Sequence, residues 1–144
     1  MVKRLDESST DDLCNLSEEA DFPYKISKDA ARFYCKGTDI SEGVQTYGVY
    51  QENRLTGVMT ATFCRVFPHC DSPSGKIIQL SGAYVHPDFR GQGNATALIK
   101  AIEEDAVIYG ADYICTDSTA DELYKKNGFN HAPENESRLW KRLT

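Results

Sequence analysis

The chain has 144 residues, 40% hydrophobic and 26% charged, which suits a single globular domain over residues 1–144 and leaves little room for two. Its formal net charge of −6 speaks against nucleic acid as a partner, because phosphate binding needs clustered Lys and Arg. No apolar run approaches the ~20 residues that span a bilayer, and residues 1–7 turn acidic where a signal peptide turns apolar, so a cytoplasmic protein without a membrane partner is expected.

The acidity attracts cationic amines, although it serves solubility equally well. Cys14, Cys35, Cys64, Cys70 and Cys115 contain no C-x-x-C pair and no zinc-ligand spacing. Free thiols and no metal are expected. Cys64 and Cys70 alone are placed so that a hairpin could bring them together.

Residues 2–5 predict a short strand. Residues 8–12, Ser-Ser-Thr-Asp-Asp, then supply cap oxygens and first-turn carboxylates for a helix running to about Glu19. Phe22-Pro23-Tyr24 breaks it. Ser27 caps a second helix, with Ala30, Ala31, Phe33 and Tyr34 as its body and Gly37 as its terminator. From Gln45 the period changes to that of strands. Residues 46–50 and 55–67 are predicted strands around a turn at 51–54, residues 68–75 a loop, and residues 76–85 the next strand. Ala95, Leu98, Ile102, Ala106 and Tyr109 share one face of a helix over 94–109, closed by Gly110. Residues 113–115 predict a buried strand. Thr119-Ala120-Asp121-Glu122 predicts a capping box for a helix that Gly128 ends, and residues 137–143 predict the last strand.

Consecutive central strands imply antiparallel pairing, and the later strand–helix–strand unit implies parallel pairing. The expected class is α/β of the α+β type. It has a mixed, mostly antiparallel sheet of about six to seven strands flanked by about four helices.

Chemistry concentrates in Ala83-Tyr84-Val85-His86-Pro87-Asp88-Phe89-Arg90-Gly91-Gln92-Gly93-Asn94-Ala95. A strand runs into a glycine turn and then into a long helix. Such a turn presents successive N–H groups at the positive end of the helix dipole, a site suited to a diphosphate. Gly91 and Gly93 let phosphate oxygens approach the backbone, Ala95 is small, and Arg90 orders the loop or adds charge. The pattern is neither G-x-G-x-x-G nor a P-loop. A lone G-x-G would equally suit an ordinary strand–helix connection.

Val85-x-Pro87-x-x-Arg90-Gly91-x-Gly93-x-Ala95 resembles the acetyl-coenzyme A signature of the GNAT superfamily, R/Q-x-x-G-x-G/A. Ala120-x-x-Leu123-Tyr124-x-Lys126-x-Gly128-Phe129 resembles the family's second segment, A-x-x-L-Y-x-K-x-G-F. The two stand in the family's order, over roughly residues 79–131.

The resemblance implies an N-acetyltransferase with acetyl-coenzyme A as co-substrate and a primary amine as acceptor, the two joined in a ternary complex. It implies a gap beside the signature strand where Ala83 and Val85 pair with the pantetheine arm. The diphosphate would lie on amides of Arg90, Gly91, Gln92, Gly93, Asn94 and Ala95, with Thr96 at the edge. Tyr124 would be the acid that protonates the leaving thiolate. Asp117 stands where the family often has a coenzyme-contacting Asn; an ionised carboxylate cannot donate there, so Ser118 substitutes or Asp117 caps the helix. The strand position that often carries a base holds Gln79 and Ser81, which leaves His86, Glu52, Asp117 or a water chain. Tyr24, Phe33, Tyr34 and Tyr47, the 51–54 turn and the 68–75 loop are candidates for the acceptor site. A small-molecule amine, a protein N-terminus or lysine, and a module that binds acyl-coenzyme A without turnover all remain open. A homodimer is the further partner the family allows.

Overall fold

The computed structural model describes every residue except 20, 24, 37–39, 118–120, 134 and 144. Tyr24, Gly37, Ser118, Thr119 and Ala120 therefore lie outside the described residues. The elements are β1 (Val2–Arg4), α1 (Thr10–Ser17), α2 (Lys28–Tyr34), β2 (Gly43–Gln51), β3 (Arg54–Arg65), β4 (Lys76–Val85), α3 (Asn94–Tyr109), β5 (Tyr113–Thr116), α4 (Asp121–Lys126), β6 (Asn130–Ala132) and β7 (Asn135–Arg142). The strands form one seven-stranded sheet in the order β1-β2-β3-β4-β5-β7-β6. Among the described residues only β4 and β5 pair in parallel, as expected for a pair joined through a helix.

The predicted periods translate into two layers. Tyr47, Met59, Phe63, Ile78 and Leu80 meet Leu98, Ile99 and Ile102 of α3 on one face. Leu5, Leu13, Leu16, Ala31, Leu55, Val58 and Tyr84 pack beneath α1 and α2 on the other. Each buried Leu, Ile, Val, Met or Phe side chain among these contributes about 1.5–3 kcal/mol by transfer from water.

Three local features differ from expectation. A turn precedes the first helix, because Asp6 accepts from the Ser8 N–H at 2.9 Å while Ser9 Oγ accepts from the Asp6 N–H at 3.3 Å; this reciprocal cap opens a 3₁₀ turn over Glu7–Ser9 ahead of α1, which begins at Thr10. That helix also ends at Ser17, not Glu19. A strand absent from the sequence reading, β6, pairs with β7. The 51–54 turn stands as predicted, with Glu52 and Asn53 at φ 54° and 61°, the pair of positive angles a tight hairpin needs.

Asp112 pins the loop between β3 and β4. Its carboxylate accepts from Ser74 Oγ at 2.6 Å, Ser72 Oγ at 2.8 Å and the Ser74 N–H at 3.1 Å. The Ser74 hydroxyl first, with Ser72 next, holds this carboxyl below its ordinary range. Its stabilising effect is therefore present above the usual aspartate pKa and fades as pH falls through the lowered value. All five cysteines are free. No helix among the described residues is long and apolar enough to cross a membrane.

Candidate active site

The sheet opens beside β4. β5 pairs only with residues 77–80 of β4, from Ile77↔Tyr113 to Leu80↔Thr116, so β4 runs on to Val85 with no strand partner on that edge among the described residues. The register with β3 breaks between Met59 and Thr60. Gly82, at φ 57°, is the extra residue of this bulge. A bulge shifts the alternation of side chains by one. Ile78 and Leu80 face α3 before it; Tyr84 joins the α1–α2 layer after it. The His86 N–H donates to the Thr56 carbonyl at 2.7 Å. By the period of two, Ala83 and Val85 then direct their main-chain groups away from β3 and into the gap. Both line a cleft of about 520 Å³ together with Phe89, Leu123, Lys126 and the glycine turn.

At the mouth of this cleft lies the loop that the signature marked. Among the described residues, no hydrogen bond within the chain uses the N–H groups of residues 91–96. Gly93 is the N-cap of α3 at φ 82°, a left-handed conformation that costs other residues roughly 1–2 kcal/mol. A Cβ at Gly91 or Gly93 would meet nothing within 4 Å. Unused amides, a helix dipole and empty space in front of them fit a diphosphate. Lys126 lines the same cleft, and with Lys100 and Lys141 it lines the adjoining groove beyond Thr96. Lys126 stands in the second motif of the sequence, where its spacing alone assigns it no task.

The side chains of the loop are spent on shaping it. Arg90 Nε donates to the Val85 carbonyl at 2.8 Å, and its Nη2 lies 2.6 Å from Asp21 Oδ2. Gln92 Nε2 reaches the Asp88 carbonyl at 3.4 Å. Asn94, buried, donates to the Phe89 carbonyl at 3.0 Å and to Gln51 Oε1 at 3.4 Å. Thr96 Oγ1 accepts from Asn127 Nδ2 at 3.3 Å. Of the two roles considered for Arg90, ordering the loop is the one seen.

His86 sits at the turn that follows β4. It is buried, its Nδ1 accepts from the Asp88 N–H at 3.1 Å, and its Nε2 lies 2.9 Å from Glu19 Oε1. Both ring nitrogens are thus engaged in fixing the turn against the segment after α1. Asp117 pairs with Arg138 at 3.3 Å and does not line the cleft. Tyr124 is buried in the α3-side core, its ring edge-on to Phe129 at 5.3 Å, one residue along α4 from the cleft-lining Leu123.

A second cleft, of about 310 Å³, lies on the α1–α2 face of the sheet. Ala83 and Tyr84 line both clefts, so the two adjoin at the bulge. Of the aromatic candidates for an acceptor site, Tyr34 lines this second cleft. Phe33 is exposed. Tyr47 faces α3 instead, donating to Asp105 Oδ2 at 2.6 Å. Neither the 51–54 turn nor the 68–75 loop contributes a lining residue.

One network spans both clefts. The Tyr84 hydroxyl donates to Asp21 Oδ1 while Arg90 holds the other carboxylate oxygen. The guanidinium lies over the Tyr84 ring, 5.5 Å from its centroid, and Phe22 packs on that ring at 4.6 Å. Tyr84 first, then Arg90, keeps the Asp21 carboxyl below its ordinary range. Burial and the Asp21 carboxylate push the Tyr84 phenol up to about 12. Both groups thus hold their bonding states through neutral pH, and the network is lost as pH falls through the lowered Asp21 value or rises through about 12, where Tyr84 gives up its donor proton. Asp21→Ala is expected to raise KM for coenzyme and acceptor together by about threefold to tenfold. Steady-state kinetics with each ligand varied in turn would measure it, and unchanged KM values for both ligands would show the network to be ornamental to binding.

A family model described as Acetyltransferase (GNAT) domain matches residues 43–131, from the first residue of β2 into β6. Among curated proteins none matches the chain by sequence. Solved structures share the fold at low identity. The GNAT-family acetyltransferase from Streptococcus pneumoniae is 12% identical with TM-score 0.73, covering 100% of this chain and 99% of its own. The PaiA N-acetyltransferase from Thermoplasma acidophilum, in complex with coenzyme A, is 14% identical with TM-score 0.72, covering 99% and 98%. The ribosomal-protein-alanine N-acetyltransferase from Brucella melitensis biovar Abortus is 16% identical with TM-score 0.68, covering 88% and 87%. Likeness at such identities concerns the fold alone. The family model covers more than half of the sequence, and by it the chain belongs to the GNAT acetyltransferase family.

Proposed function

We propose that the protein transfers an acetyl group from acetyl-coenzyme A to a primary amine of a small molecule, by direct attack in a ternary complex. The supporting observation is the junction at Ala83 and Tyr84, where a cleft ending in unused amides adjoins a separate, mostly apolar cleft. When bound, acetyl-coenzyme A supplies a thioester carbonyl. The amine nitrogen forms a bond to the carbonyl carbon as the carbon–sulfur bond breaks, its electron pair going to sulfur. One proton leaves the nitrogen and one reaches the sulfur.

The residues of this chain divide that work. The amides of residues 91–96 hold the diphosphate, with Lys126 adding charge beside them. Ala83 and the Val85 N–H receive the pantetheine arm along the open strand edge. Tyr124 gives the proton to sulfur. Holding two reactants in line across the bulge supplies much of the rate. Activity should rise with pH through the range where the acceptor deprotonates, by about tenfold per unit while the neutral amine is limiting; a flat profile from pH 7 to 9 would show another step to be limiting.

A specific observation favours a second reading, binding of acyl-coenzyme A without turnover: among the described residues, no carboxylate or histidine lines the acceptor cleft. Thiol release from acetyl-coenzyme A across a panel of primary amines decides between them. Release with one class of amine supports transfer; coenzyme binding with no release from any amine sinks it.

A further inference from the structure

The acceptor cleft has a built polarity. Thr46 pairs with Thr60 across β2 and β3, and Thr60 pairs with Ser81 across β3 and β4. Their side chains form a row of hydroxyls on the sheet, and all three residues line the cleft. Thr60 and Ser81 share a hydrogen bond at 3.1 Å, while Thr46 Oγ1 is buried without a partner among the described residues. The row ends at the bulge, beside Ala83. The rest of the lining is apolar: Leu13, Phe22, Pro23 and Ile26 from the α1–α2 layer, with Val44 and Val58 from the sheet.

No charged side chain belongs to this lining among the described residues. The titratable groups that face it are Tyr34 of α2 and Tyr84 of β4; β2, β3 and α1 contribute none. Asp21, joined to Tyr84, already carries Arg90. An ammonium entering this space would lose its water and gain no counter-charge, which is costly. A neutral amine loses much less, because hydroxyl oxygens accept its N–H groups. Burial of this kind lowers an amine's own pKa. The cleft would thus deliver the amine in its nucleophilic state, and the lack of a side-chain base becomes intelligible.

We propose that this cleft takes the acceptor as a neutral monoamine on a compact apolar body, its nitrogen on the Thr60 and Ser81 hydroxyls of this row. A volume of about 310 Å³ stands at the lower end of the range for small-ligand sites, roughly 300–1,000 Å³. A polyamine is excluded because its second ammonium would be buried unpaired. This substrate class rests on the acetyl-transfer reading, but the site itself can be tested without turnover.

The test titrates the protein saturated with coenzyme A by calorimetry. The probes are 2-phenylethylamine, 1,5-diaminopentane and a short peptide amide with a free N-terminus. Phenylethylamine is expected to bind at least about tenfold more tightly than the diamine, since an unpaired buried charge costs well over the 1.4 kcal/mol that tenfold represents. Its affinity should rise about tenfold per pH unit between pH 7 and 9, as binding of the neutral form requires. Equal or tighter binding of the diamine, tighter binding of the peptide, a pH-independent affinity, or no amine binding would each overturn the proposal. Ile26→Trp, which fills the apolar end from a loop position, should weaken phenylethylamine at least about tenfold with coenzyme affinity unchanged; undiminished amine affinity would place the amine elsewhere. Thiol release from acetyl-coenzyme A is followed in parallel. The expected binding order without release would uphold the site and sink the transfer reading, so the two failures are distinct.

Discussion

Replacing Gly93 with glutamate is expected to abolish coenzyme A binding, with an affinity loss of at least about 100-fold. Three effects act in one direction. A non-glycine residue at φ 82° carries a conformational cost of about 1–2 kcal/mol. The new carboxylate, at the N-cap of α3, competes for the same amides that would hold a diphosphate. Its charge also repels the phosphates. The fold should survive, because a Cβ at this position meets nothing within 4 Å. Gly93→Ala separates strain from charge, since it brings only the first effect and should cost no more than about tenfold in affinity. Calorimetric titration with coenzyme A gives the affinities, and thermal denaturation confirms folding. Wild-type affinity in Gly93→Glu would remove the diphosphate from residues 91–96 and with it the assigned orientation of the co-substrate.

The legible parts of this protein were those with a short-range cause. The α3 helix over Asn94–Tyr109 and its left-handed Gly110 cap match the periodic face and the glycine seen in the sequence. The hairpin at 51–54 and the parallel β4–β5 pair likewise follow from turn residues and element order. The parts that escaped depend on distant partners. β6 has three residues, too few to show a period, and exists because β7 provides its hydrogen bonds. His86 is a base candidate in sequence only by the ordinary range of an imidazole; its contact with Glu19, 67 positions away by number, has no local signal. Tyr47 and Tyr84 are both aromatic residues in strands, yet the bulge at Gly82 and the pleat send them to opposite faces. No local pattern reports that choice. Asp21 is in the same position: nothing around it in sequence announces that Tyr84 and Arg90 converge on its carboxylate.

Tyr124→Phe should lower kcat by about 100-fold while leaving KM for acetyl-coenzyme A near its wild-type value. The substitution keeps the ring, which packs edge-on against Phe129 at 5.3 Å within the α3-side core, and thermal denaturation checks that the fold is kept. Only the hydroxyl is lost. If that hydroxyl gives its proton to the departing sulfur, the loss must depend on how much the sulfur needs one. An acetyl donor whose thiol has a lower pKa leaves readily as a thiolate and should react with the variant almost as fast as with the wild type. The natural donor should show the full deficit. A packing role predicts the same loss for both donors, because a distorted cleft does not sense the basicity of the leaving group. Equal kinetics with the natural donor would return Tyr124 to the core alone and leave sulfur protonation to solvent.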